Sequence, residues 1–110
     1  MNWIALDNEQ QLETIAEKSF TTPQVIFKHS TTCSISSMVL NRLERAETPA
    51  NIDFYYLDLL KLRPISAAIA EKFQVHHESP QILVIKNGEC IYDESHYGIS
   101  MDEIAAQTAS

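Results

Sequence analysis

The residue best suited to chemistry is Cys33, in the stretch KHSTTCSISSMVL from Lys28 to Leu40. It falls between a short apolar run with strand character and a run with helical period. A cysteine at the first turn of a helix lies among free backbone N–H groups at the positive end of the helix dipole, and both favour thiolate over thiol. The thiolate is the nucleophilic form. Where a redox dithiol would carry its second cysteine, three residues on, stands Ser36. Its hydroxyl could donate to the sulfur but cannot close a disulfide, so the spacing points to exchange through a mixed disulfide with another molecule. The plain alternative is that Cys33 is a small residue packed under a loop. Its neighbours Ser30, Thr31, Thr32, Ser34 and Ser36 form a polar, turn-prone collar that argues against such burial.

Other candidates surround this one. His29 and His77 could each stabilise a thiolate or move a proton near neutral pH, although a single imidazole at a strand end is more often a structural hydrogen-bonder. His76, His77, His96, Cys33 and Cys90 have none of the familiar metal-ligand spacings, so no metal is expected. Cys90 follows a turn signal and reads first as a small strand residue. As a resolving thiol it would instead make a Cys33/Cys90 redox switch, and that alternative stays open.

The elements that must position these residues follow from periodicity. Trp3-Ile4-Ala5 suits a short strand, and Asp7, with Gln10 three residues on, suits a cap for a helix carrying Leu12, Ile15, Ala16 and Phe20. Gln24 to Lys28 is a buried-strand run. Ile35, Met38, Val39, Leu43 and Ala46 keep a helical period until Pro49. NIDFYYLDL is strand-like, Pro64 fits the first turn of a helix reaching Phe73, and PQILVIK, Asn87-Gly88 and ECIYDE make a hairpin. Ser100 with Glu103 opens a helix from Met101 to about Thr108. The order predicts an α/β fold: a mixed central sheet, helices on both faces, and a C-terminal hairpin plus helix. In such sheets chemistry sits off the carboxyl end of a strand, where a helix begins, and Cys33 is at such a junction.

The totals agree with one domain over residues 1–110, with no linker or repeat. Hydrophobic residues make up 45%, with only two glycines and four prolines, enough for a packed core. A net charge of −7 offers no general attraction for nucleic acid or anionic lipid. There is no apolar run of membrane-spanning length and no signal-peptide pattern, so a cytoplasmic location is expected. In that reducing compartment two cysteines do not form a structural framework.

The second half adds a pattern. Pro80 stands immediately before the strand PQILVIK, the place a central strand tolerates proline. A proline there, then a strand and a tight hairpin, resembles thioredoxin, whose equivalent proline is cis and faces the cysteine. KHSTTCSIS, HHESPQ and HYGIS together resemble more closely the C-type (YtxJ-type) monothiol bacilliredoxins, over nearly the whole chain. That family's usual pattern is Lys-His-Ser-x-Thr-Cys-Pro-Ile-Ser, with His-Glu-Ser-Pro-Gln before the last hairpin. The resemblance implies a thioredoxin-like fold and a monothiol oxidoreductase that removes bacillithiol, or a similar small thiol, from proteins. Cys33 would be the attacking sulfur and Ser36 a hydrogen-bond donor to it. Thr32 and Ile35 would flank the contact, and Pro80 with the backbone of Ser79 would form the docking platform. The partners implied are S-thiolated client proteins and a low-molecular-weight thiol acting as co-substrate, without a bound cofactor; the oligomeric state is left open. Two departures stand out. Ser34 replaces the family's proline, and Phe27 stands where thioredoxin has a buried acid, which disfavours dithiol reduction. A binding module with an idle cysteine is the alternative outside enzymology.

Overall fold

The computed structural model describes residues 1–109. Its elements run β1 (Trp3–Ala5), α1 (Gln11–Lys18), β2 (Gln24–His29), α2 (Ser34–Arg45), β3 (Asp53–Asp58), α3 (Arg63–Phe73), β4 (Gln81–Lys86), β5 (Glu89–Ser95) and α4 (Met101–Ala109), with a 3₁₀ turn at His96–Gly98 before α4. The five strands form one sheet in the order β1-β3-β2-β4-β5. β1 and β2 both pair parallel with β3, while β4 runs antiparallel to β2 and to β5. This is the mixed α/β sheet expected from the repeated strand-helix-strand order and the final hairpin.

Side chains alternate across each strand, so the central strand β2 feeds two cores. Ile26 joins Leu12 and Ile15 of α1, Ile65, Ile69 and Phe73 of α3, and Leu83 and Ile85 of β4 on one face. Val25 and Phe27 join Val39 and Leu43 of α2 and Met101 and Ile104 of α4 on the other. All six side chains of β2 are buried. The Phe27 ring stacks on Trp3 and on His29, with centroids 5.7 Å away in each case.

Two local expectations give way. Asp7 does not cap α1. Instead the Gln11 amide oxygen accepts from the N–H groups of Asp7 and Asn8, and Asn8 Oδ1 accepts from Gln10 N–H, which delays the helix to Gln11. Phe20 lies beyond the end of that helix and is 64% exposed, outside the core that its spacing implied. The hairpin between β4 and β5 turns at Asn87 and Gly88, whose φ angles of 54° and 80° are those of a type I′ turn. Ser100 caps α4 as expected, its Oγ accepting from Glu103 N–H at 3.2 Å, while the Glu103 carboxylate accepts from Gln107 Nε2 at 3.0 Å.

Phe27→Ala would leave a cavity beside both Trp3 and His29, in the middle of the sheet. A loss of about 3–5 kcal/mol in denaturant unfolding is expected, against under about 1 kcal/mol if the site collapses.

Candidate active site

The carboxyl ends of β2 and β3, the start of β4 and the end of β5 all lie at one edge of the sheet, because His29 pairs with Asp58, Lys28 with Gln81, and Gln81 with Ser95. Cys33 stands at this edge as the N-cap of α2, with extended backbone angles and a half-buried side chain. Its N–H donates to Ser30 O at 3.2 Å and its carbonyl accepts from Ser37 N–H at 3.0 Å, so the sulfur is carried on a closed turn that runs directly into the helix. Pro80 precedes Gln81 at the same edge, and the Ser79–Pro80 peptide bond is cis. The loop before it is folded onto Gln81, whose amide donates to His76 O at 3.0 Å. Pro80 O accepts from His96 N–H at 3.0 Å, which joins the loop to the 3₁₀ turn. That turn is held to α2 by Arg42, which donates to the carbonyls of Tyr97 and Ile99.

Ser36 is not used as the sequence implied. Its side chain is fully buried, Oγ accepts from Ser30 N–H at 3.0 Å, and Oγ lies 2.6 Å from His29 Nδ1. The partners of this hydroxyl are thus the strand end and its imidazole, and Cys33 Sγ is not among them. The bond ties β2 to the first turn of α2 and fixes the loop that carries the sulfur. His29 is likewise engaged: it is buried between Phe27 and Tyr56, and burial lowers its pKa while Asp58 and Glu44 oppose the shift. It is a neutral partner for Ser36 at physiological pH.

His77 belongs to the opposite face. Its Nδ1 lies 3.3 Å from Lys28 Nζ and 3.2 Å from Ser66 Oγ on α3. Lys28 is 0% exposed and donates also to Ser66 O at 3.3 Å, and burial pulls its pKa down to about 8. Lys28 is inside because β2 pairs on both sides at this level, with Leu57 and Gln81, and α3 covers its face through Ser66. Thr32 is exposed, its Oγ1 3.5 Å from Ser30 Oγ, while Ile35 is half-buried and packs against the core beneath α2. Ser79 is half-buried with an Oγ that is shielded and without a hydrogen-bond partner, and Asp58 Oδ1 beside His29 is in the same condition.

Cys90 is far from this edge. It pairs with Ile85, which is level with Gln24, so the length of β2 separates it from Cys33. At about 3.3 Å per residue this is roughly 16 Å, whereas a disulfide needs Cα atoms within about 7 Å. Its thiol donates to Tyr92 O at 3.2 Å, and burial pushes its pKa up to about 11. The Cys33/Cys90 switch is therefore excluded by the register of the sheet. Among the described residues no group of three or more His, Cys, Asp or Glu side chains could hold a metal ion, and no helix is long and apolar enough to cross a membrane.

A family model described as monothiol bacilliredoxin BrxC matches residues 4–104. The chain belongs to the monothiol bacilliredoxin family. A candidate oxidoreductase with a thioredoxin fold is 32% identical, with a TM-score of 0.79 over 97% of this chain and 93% of the other. The thioredoxin Mala s 13 of Malassezia sympodialis is 18% identical, with a TM-score of 0.74 over 98% of this chain and 89% of its own. The thioredoxin of Fasciola hepatica is 16% identical, with a TM-score of 0.71 over 96% and 95%. At those identities the thioredoxins share the fold. Family and fold together make this bacilliredoxin a thiol oxidoreductase of thioredoxin type.

The Ser34 departure has a simple local reading. Ser34 is the first helical residue of α2, a position where proline fits because its missing N–H has no helical partner. Serine keeps that N–H beside the cysteine and does not lock the φ angle as proline would.

Two outcomes follow. Ser36→Ala leaves Ser30 N–H and His29 Nδ1 buried without a partner, and chemical unfolding should show a loss of about 1–3 kcal/mol. For Lys28, the folded pKa of about 8 lies below the ordinary value of 10.5, so the unfolded chain holds more protons between them. The penalty for the buried ammonium is complete below about pH 8 and is relieved as pH rises towards 10.5. Wild-type stability should therefore rise with pH relative to Lys28→Met across that window; parallel profiles would show that Lys28 titrates normally.

Proposed function

We propose that this bacilliredoxin is a monothiol dethiolase acting through Cys33 on proteins that carry bacillithiol or a similar small thiol in mixed disulfide. The observation that carries the reading is the isolation of Cys33. It caps a helix at the candidate reactive edge of the sheet, its turn is closed by Ser36 rather than by a second sulfur, and Cys90 is half-buried at the far end. A thiolate so placed has no partner within the chain, so its disulfide partner comes from outside.

The steps balance without a cofactor. The Cys33 thiolate attacks the small-thiol sulfur of the mixed disulfide. The bond from Cys33 to that sulfur forms, the bond to the client sulfur breaks, and the client leaves as a thiolate that takes a proton from solvent. A second small-thiol anion then attacks the adduct on Cys33, giving the symmetrical small-molecule disulfide and regenerating the Cys33 thiolate. Attack on the outer sulfur is favoured where the client thiol is the better leaving group. The client chain docks against Thr32, Ile35, Ser79 and Pro80. An extended client chain there would meet the backbone of the Ser79–Pro80 loop. His29 acts through Ser36 as a positioning residue, and His77 supports the loop from the Lys28 side rather than moving a proton at the sulfur.

The idle-cysteine binding module is the competing reading. A client protein loaded with bacillithiol separates the two: wild type should release the free client thiol, with a mass adduct of one small thiol on Cys33, and Cys33→Ser should leave the client at the uncatalysed rate. Equal release by the two proteins would overturn the enzyme.

A further inference from the structure

Tyr97 leaves 63% of its surface in solvent, although its main chain is held on two sides. On one side His96 N–H donates to Pro80 O at 3.0 Å. On the other, Arg42 of α2 donates to Tyr97 O at 3.0 Å and to Ile99 O. His96 carries a φ of 55°, a left-handed angle that a residue with a side chain keeps only where its surroundings enforce it. A turn fixed in this way beside Pro80 presents an aromatic ring that the core does not use.

The ring is continuous with the docking surface at Cys33. Ile35, Met38 and Arg42 recur at helical spacing and share one face of α2, and the bond from Arg42 to Tyr97 O turns that face towards the 3₁₀ turn. Ile35 is half-buried and Met38 is 39% exposed. An apolar row therefore leads from the helix end that carries Cys33 to Tyr97. Along α2 the row reaches about 7.5 Å from Cys33 at Met38 and about 13.5 Å at Arg42. An extended client chain advances about 3.3 Å per residue, so its side chains cross the row roughly two to four residues from the mixed disulfide.

Carboxylates stand at both neighbours of Tyr97. The Glu94 carboxyl group packs on Gly98, where a Cβ would lie 2.7 Å from its carboxyl carbon, and Glu78 Oε1 is 3.7 Å from His96 Nε2. The nearest arginine, Arg42, has its guanidinium on main-chain carbonyls, and the chain as a whole carries −7. An apolar side chain with a cation beside it complements such a surface, the cation meeting the carboxylates or the ring face.

We propose that Tyr97 and Met38 form a ledge that selects client proteins. The ledge takes a bulky apolar side chain two to four residues from the thiolated cysteine, with a lysine or arginine next to it. It chooses among the clients of the exchange reading above, on which this inference rests.

The test uses peptides with one cysteine in mixed disulfide with bacillithiol and, three residues away, Phe-Lys, Ala-Lys or Phe-Glu, the pair being placed on either side of the cysteine. Release of the peptide thiol is followed by mass spectrometry. On one side of the cysteine, wild type should show a KM about tenfold lower for Phe-Lys than for Ala-Lys, the size of one aromatic contact, and lower than for Phe-Glu. Tyr97→Ala should raise the Phe-Lys KM to the Ala-Lys value, whereas Tyr97→Phe should keep it. The mixed disulfide of bacillithiol with free cysteine should react alike with all three proteins. Equal KM for Phe-Lys and Ala-Lys, no disadvantage for Phe-Glu, or an unchanged KM in Tyr97→Ala would overturn the ledge. So would a fall in turnover of the free-cysteine disulfide in Tyr97→Ala, since the ring would then be supporting the site rather than the client. Docking is also read without chemistry: the reduced Phe-Lys peptide should shift the Met38 and Tyr97 NMR signals of Cys33→Ser, and unmoved signals would overturn the ledge as well. Peptide release by Cys33→Ser as fast as wild type would remove the exchange reading instead.

Discussion

The structure depends on the complete burial of one strand. β2 lies between β3 and β4 and has a core on each face, so none of its six side chains reaches solvent freely. For Val25, Ile26 and Phe27 this is the source of stability. For the last two residues, Lys28 and His29, it is a demand, because a buried polar group without a partner costs more than a hydrogen bond returns. The strand alternation sends the two to opposite faces. Lys28 finds His77 and Ser66 on the α3 side, and His29 finds Ser36 on the α2 side. Each pairing fixes a different part of the reactive edge: one anchors the loop that leads to Pro80, the other the turn that carries Cys33.

This division explains why the fold was more legible than the site. The strand and helix signals are local. Val25 to Phe27, the helical period from Ile35 to Leu43, and the Asn87-Gly88 turn each state their element within a few residues, and the structure follows them. The partners of Ser36, His29, Lys28 and His77 are set by register. Lys28 and His29 are both buried because β2 is covered on both faces to its last residue, which the pairing with β3 and β4 decides and the local sequence does not state. Asp7 failed as a cap for a comparable reason: Asn8 and Gln11 offered the preceding turn its own hydrogen bonds. The placement of Cys33 was legible because the strand-to-helix junction is itself a local feature. Its distance from Cys90 was not, since that depends on two antiparallel registers in succession.

The family pattern and the physics meet in the Lys-His-Ser triplet from Lys28 to Ser30. Read as a motif, it is a label preceding the cysteine. In the structure its members have separate tasks. Lys28 lies beneath the loop that leads to Pro80, His29 holds Ser36, and the backbone of Ser30 gives its N–H to Ser36 Oγ and its carbonyl to Cys33 N–H. Ser36 therefore has a meaning that its spacing from Cys33 concealed. A cysteine in its place would supply a weak acceptor of larger radius against an imidazole 2.6 Å away and a main-chain donor at 3.0 Å. Both contacts would lengthen, and the turn beneath Cys33 would loosen. A second sulfur and this His29-anchored turn compete for one buried position. The chain that keeps the hydroxyl ties the turn beneath Cys33 to the end of β2.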